Sequence, residues 1–121
     1  MAVKIKTKFG TVDIENDVIA NVVGGAATDN YGVVGMASRN QIRDNMNDIL
    51  NRENYFKGVE VKQRDNEILI NVYIIVAYGN KISEVAKAVQ SKVKYDLQSM
   101  LGVTANSVNV IVQGVQVANE D

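Results

Sequence analysis

Residues 68–79 read ILINVYIIVAYG, and this stretch decides the fold. The even positions, Ile68, Ile70, Val72, Ile74, Val76 and Tyr78, are all apolar, while the odd positions Leu69, Asn71, Tyr73, Ile75 and Ala77 are mixed. Successive side chains of an extended chain point to opposite sides, so a period of two with one wholly apolar face predicts a β-strand. β-branched and aromatic residues dominate the run, and a glycine closes it. With one face apolar and the other half apolar, the strand is expected at the centre of its sheet.

The segments on either side supply its neighbours. Residues 58–64 alternate Val59, Val61 and Gln63 against Glu60, Lys62 and Arg64, and Asp65-Asn66 is a two-residue turn signal. Together with the strand that follows they predict a β-hairpin. Beyond Gly79-Asn80, Ser83 is a candidate N-cap with Glu84 in the first turn. Val85, Ala86, Val89, Val93, Leu97, Met100 and Leu101 then form the clearest helical stripe in the chain, with Gly102 where a left-handed residue would end it. Residues 107–117 read as another strand, Val108, Val110 and Val112 on one face and Gly114 marking a bulge. Strand, helix, strand in succession predicts a right-handed crossover, which sets the last strand parallel to the central one.

The first half is less sharply patterned. Residues 2–9 alternate Val3, Ile5 and Phe9 with Lys4, Lys6 and Lys8, which predicts a strand whose lysines keep one side solvated. The alternative reading of Lys4, Lys6 and Lys8 is a small anion-binding strip. Gly10 interrupts the run, and residues 11–14 read as a short extended continuation. Asn16 is a candidate N-cap, with Asp17 in the first turn and Val18, Ile19, Val22, Val23 and Ala26 on one helical face. Ala20, Gly24 and Ala27 make a stripe of small residues on another face. Each helical glycine costs about 1 kcal/mol against alanine, so something is expected to pack very close to them, the chain's own packing being favoured over a helix–helix contact in an oligomer. Gly32-Val33-Val34-Gly35 has the GxxG spacing of an RNA-clamping loop, but its central pair is apolar and suits a short buried strand or turn. Residues 40–54 place Ile42, Met46, Ile49 and Leu50 on a narrow stripe amid mixed charge, which predicts a lightly packed amphipathic helix that moves or meets a partner.

The chain is therefore read as one domain over residues 1–121, with a short acidic tail at 118–121 expected to fray. Its class is α/β in the α+β sense. The architecture is two-layer, a mixed and mostly antiparallel sheet with a β-hairpin, a strand–helix–strand crossover and about three helices.

Little in the composition offers chemistry. The chain has no cysteine and no histidine, which excludes thiolate metal sites, disulfides and the Ser-His and Cys-His arrangements. Asp13, Glu15 and Asp17 are spaced alternately, but without the glycine and distal glutamate of a calcium loop. No P-loop, dinucleotide fingerprint or nucleophile elbow is present, so neither a cofactor nor a metal is expected. A net charge of −1 and the absence of tryptophan give no general basis for binding nucleic acid. The longest apolar run falls short of the about 20 residues that span a bilayer, and residues 1–8 lack the apolar core of a signal peptide. A cytoplasmic protein without direct membrane insertion is the expectation, with any membrane association running through a partner. If both long helices cover the even face of the central strand, its odd face carries Leu69, Asn71, Tyr73 and Ile75. A face that apolar calls for cover. Either the middle helix, with Ile42 and Met46, folds over it, or another chain does, and the second is favoured.

Taken in order, these segments resemble the alkaline shock protein (Gls-type) family of Gram-positive bacteria. The resemblance is carried by Gly10-Thr11-Val12-Asp13-Ile14 leading into Val18-Ile19-Ala20, by Gly32-Val33-Val34-Gly35-Met36, by Gly58-Val59 and by residues 72–79. Ile82-Ser83-Glu84-Val85-Ala86 and residues 108–115 complete it. Met36-Ala37-Ser38-Arg39-Asn40-Gln41-Ile42 and Lys92-Val93-Lys94-Tyr95 are most similar to its short YloU-like branch. The resemblance implies a cytosolic, non-enzymatic protein of envelope or alkaline stress homeostasis, homo-oligomeric or bound to small membrane-anchored members of the family. It also implies a link to lipid metabolism: the branch is often encoded beside a fatty-acid or dihydroxyacetone-type kinase, and another branch is tied to acetyl-CoA carboxylase. A regulator of such a neighbouring metabolic enzyme is the alternative to a scaffold, and an RNA-binding module using Lys4, Lys6, Lys8 and the GxxG is a third reading. The charged extensions of longer relatives are missing here.

Overall fold

The computed structural model describes residues 2–39 and 49–117. Among them the elements run β1 (Ala2–Thr7), β2 (Gly10–Glu15), α1 (Asn16–Thr28), β3 (Val33–Met36), a 3-10 helix (Arg52–Gly58), β4 (Val59–Arg64), β5 (Glu67–Ala77), α2 (Ile82–Asp96), a π-helical turn (Leu97–Leu101) and β6 (Ser107–Gln116). Residues 68–77 lie in β5, and every other strand of the main sheet pairs with it. β6 lies parallel along one edge, from Leu69↔Ser107 to Ala77↔Gln116, as the crossover requires. The expected bulge is there, the register stepping from Ile74↔Val112 to Ile75↔Gly114.

With β6 along one edge, β3 and β4 share the other. β4 runs antiparallel against residues 67–72 of β5 and β3 antiparallel against residues 74–76. Both therefore run in the same direction along one line, two halves of a single strand from which the chain departs after β3 and to which it returns at β4. The departure is latched at its root. Ala37 N–H donates to Tyr73 O at 2.9 Å, continuing the ladder, and Arg39 N–H donates to Lys57 O at 2.8 Å. At the join, a methyl added to Gly58 would overlap the carbonyl oxygen of Ala37. Glycine is needed here for close approach and not for any unusual backbone angle.

The even face of β5 carries the core. Ile70, Val72, Ile74 and Val76 are fully buried, together with Ile19 and Val23 of α1 and Val89 and Val93 of α2. Both α-helices pack on this one face, giving the expected two layers. Burial of each such side chain contributes roughly 1.5–3 kcal/mol, so this layer holds most of the stability. Gly102, with φ +70°, ends the helical segment in the left-handed conformation, its N–H donating to Gln98 O at 3.0 Å.

Several expectations need correcting. Residues 11–14 do not continue the first strand: β1 and β2 form their own antiparallel hairpin, Thr7 opposite Gly10. Its Lys8-Phe9 tip carries none of the usual turn residues, and the positive φ falls on Gly10. Thr7 Oγ1 stabilises the tip, donating to Gly10 O and accepting from Phe9 N–H, both at 3.2 Å. The hairpin hangs on the main sheet through Gln63, whose amide donates to Lys4 O and accepts from Lys4 N–H, again both at 3.2 Å.

The helix expected over 40–54 does not reach residue 54 as read. Residues 40–48, which include Ile42 and Met46, lie outside the described residues. Leu50 forms an isolated β-bridge with Met36, and the 3-10 helix begins only at Arg52. Ile49 and Leu50 serve opposite sides of β3, Ile49 filling the space beside Gly35 and Leu50 packing against the core. That is the behaviour of extended chain.

The helix starts move by one residue at α1 and by two at α2. Glu15 and Lys81, not Asn16 and Ser83, stand at the N-cap positions, neither with a side-chain cap bond. The stripe of small residues on α1 is part of the buried side: Ala20, Gly24 and Ala27 are buried with Ile19 and Val23. The expected close neighbour is the ring of Tyr55, packed on Gly24 within the same chain.

Candidate functional site

Since α1 and α2 occupy the even face, the odd face of the sheet is the place where the interaction residues were expected. A polar row crosses it. Asn109 Nδ2 donates to Asn71 Oδ1 at 2.9 Å, and Asn71 Nδ2 donates to Glu60 Oε1 at 3.0 Å. Glu60 Oε2 in turn lies 3.9 Å from Lys62 Nζ and 4.0 Å from Arg39 Nη1. The register explains this order, because Glu60, Asn71 and Asn109 are directly opposed across β4, β5 and β6. A half-buried amide in a central strand is costly unless both its ends are bonded, and here both are.

The row divides the face. Leu69, half-buried, lies on one side of it between Lys62 and Ser107. On the other side Tyr73 and Ile111 are paired and half-buried. Ile75 differs: it is 1% exposed, so it belongs to the interior and is not free for contact. Of the candidate residues, then, the structure brings Leu69, Asn71 and Tyr73 to one half-exposed surface, and it adds Ile111, which sequence reading passed over. The signal was available, since a parallel β6 in register with β5 sets Ile111 beside Tyr73.

The lysine strip is diluted by acids. Lys4 is directly opposite Asp13 in the hairpin ladder, and Lys4, Lys6, Asp13 and Asp65 line one open cleft of about 880 Å³. Lys8 sits apart at the hairpin tip. The GxxG is not a loop: Val33 pairs with Val76 and Gly35 with Ile75 inside the sheet. Backbone committed to a ladder cannot clamp phosphates, so the GxxG no longer supports the RNA-binding reading.

A second surface was not visible in the sequence. α1, the 3-10 helix and the turn after α2 enclose an open groove of about 700 Å³, floored by Val22, Gly25, Ala26, Phe56 and Met100. Its walls come from three segments far apart in the chain, and no single periodicity reports such a place. Phe56 remains 44% and Met100 65% exposed within it.

No group of three or more acidic side chains among the described residues is placed to hold a metal ion. No helix among them is long and apolar enough to cross a membrane. Fold and surfaces together define a small two-layer α+β domain with half-exposed apolar ground on its sheet and beside α1.

This chain belongs to the alkaline shock protein 23 family, described as having cell envelope-related function, which it matches over residues 4–117. It is 55% identical over 119 residues to the uncharacterized protein YloU of Bacillus subtilis (strain 168), covering 98% of this chain and 99% of that one. It is 53% identical to the uncharacterized protein Spy1614 of Streptococcus pyogenes serotype M6 across the full length of both. A more distant relative, the uncharacterized protein YqhY of Bacillus subtilis, is 33% identical over 91% of this chain and 80% of its own. The alkaline-shock resemblance and its YloU-like branch are thereby established. No solved structure matches the chain.

Proposed function

We propose that this protein is a non-enzymatic scaffold or adaptor of envelope or alkaline-stress homeostasis, acting in the cytoplasm through self-association and partner contacts. Family membership supports the envelope setting. The observation that supports the mode of action is the odd face of the sheet. Tyr73 and Ile111 stay half-exposed there, and both α-helices are committed to the opposite side. Apolar ground on a sheet face, flanked by a polar row that fixes register, is what a protein contact uses. Any attachment to the membrane runs through a partner of the scaffold.

The test is the oligomeric state of the whole protein by light scattering over a concentration series. The wild type is expected to associate reversibly. Tyr73→Glu, which sets a carboxylate in the middle of the face, should weaken association at least tenfold while the circular dichroism spectrum stays native. A wild type that is strictly monomeric at all concentrations and retains no partner from cytosol or membrane fractions overturns the proposal.

A further inference from the structure

α1 contains two adjacent glycines, and the fold accounts for only one of them. Gly24 is required because the Tyr55 ring lies against it. A Cβ at Gly25 would meet nothing within 4 Å, and Gly25 has no positive φ. Among the described residues, neither packing nor backbone geometry explains a residue that weakens the helix. Gly25 lies on the floor of the groove between α1, the 3-10 helix and the turn after α2, with Val22 beside it and the exposed Phe56 and Met100 facing it.

The charges around this floor have a sign. Asp17, Glu53 and Asp96 line the groove with Arg52, and because Lys92 engages Asp96, one negative charge stays in excess there. Lys92 engages Asp96 at 3.4 Å, while no ion pair is formed by Asp17 or Glu53 among the described residues. From Asp17 to Gly25 the floor is about 12 Å long, two turns of helix. A glycine in such a floor lets a second helix approach at the short end of the interaxial range, where side chains otherwise keep the axes apart.

We propose that this groove is a docking site for a cationic amphipathic helix of a partner protein. The partner's apolar side lies over Gly25 between Phe56 and Met100, and its lysines or arginines meet Asp17 and Glu53. The site is separate from the sheet face and does not depend on self-association through it.

The groove's geometry makes the test discriminating, because a Cβ at Gly25 meets nothing within 4 Å and Gly25→Leu sets an aliphatic side chain on the floor from that open point. The probe is a labelled 18-residue helical peptide of leucine, alanine and lysine with leucine at i, i+3, i+4 and i+7. Its counterpart has glutamate for lysine. Binding to the full chain is read by fluorescence anisotropy, and folding by thermal melting. The lysine peptide is expected to bind and the glutamate peptide not. Gly25→Leu should weaken binding at least tenfold with a Tm equal to or above that of the wild type. Asp17→Lys/Glu53→Lys should weaken it similarly, whereas Asp65→Lys, in the cleft beside the β1–β2 hairpin, should change it less than twofold. Unchanged affinity in Gly25→Leu, equal losses in Asp65→Lys and the double variant, or equal binding of both peptides would overturn the proposal. So would Gly25-dependent uptake of an uncharged apolar dye by a protein that ignores both peptides, since the groove would then be a small-molecule pocket.

Discussion

Gly58→Ala should destabilise the protein by about 3 kcal/mol, the upper part of the range for an overpacked interior. The added methyl would overlap the carbonyl oxygen of Ala37 and lie 3.1 Å from both Leu50 Cδ1 and Met36 Cε. A side-chain tip could swing aside, but a backbone oxygen cannot move so cheaply. Ala37 is held by its N–H bond to Tyr73 O, and the facing chain by the Arg39 to Lys57 backbone bond, at 2.9 and 2.8 Å. Relief therefore means parting the two halves of the split strand. A fall in Tm of about 10 °C is expected, with little change in secondary structure content below the transition. A melting temperature within about 2 °C of the wild type would show that the join is looser than described.

Ile74→Ala should cost about 4 kcal/mol, near the upper end for deletion of a buried aliphatic side chain. Ile74 is wholly buried at the middle of β5, opposite Met36 on β3 and Val112 on β6. With strands on both sides and helices above, the surroundings have little freedom to collapse into the vacated space. Natural domains hold roughly 5–15 kcal/mol in all, so the urea midpoint should fall steeply at an unchanged slope. Val115→Ala is the control. Val115 follows the bulge on β6 and is 46% exposed, and its loss should cost less than about 1 kcal/mol.

Gly24 and Gly25 supply a smaller, opposed pair of expectations. Gly24→Ala must displace Tyr55 and should destabilise, whereas Gly25→Ala meets open space and should stabilise by up to about 1 kcal/mol. Chemical denaturation of the two variants side by side reads both signs.

What the sequence disclosed follows from how each segment is buried. β5 was legible because one face is wholly interior, with every even position from Ile68 to Val76 apolar and buried. α2 was legible for the same reason, its interior positions Val85, Val89 and Val93 recurring every four residues. The hairpin of β1 and β2 was hidden because its tip, Lys8-Phe9, resembles a strand more than a turn, and a threonine side chain does the work of turn residues. Ile49 and Leu50 misled because neighbours that serve opposite sides of a strand also fit a helical stripe when counted from Ile42. The small-residue stripe was read correctly as a sign of close packing, but only coordinates could assign Gly24 to Tyr55 and leave Gly25 unassigned. On the odd face, Leu69, Asn71 and Tyr73 followed from strand period alone. The burial of Ile75 did not, because it depends on tertiary neighbours that no periodicity encodes.

The split strand also makes the chain extensible at one chosen place. The chain leaves one line of the sheet after Ala37 and rejoins it at β4, and the described ends meet at a backbone hydrogen bond between Arg39 and Lys57. Lengthening a connection whose two ends are already joined adds only about 0.6 kcal/mol per doubling. A reporter, an epitope or a crosslinking handle could therefore be spliced into this excursion while β5 keeps all its neighbours. The same economy would let relatives differ there in length while sharing one sheet.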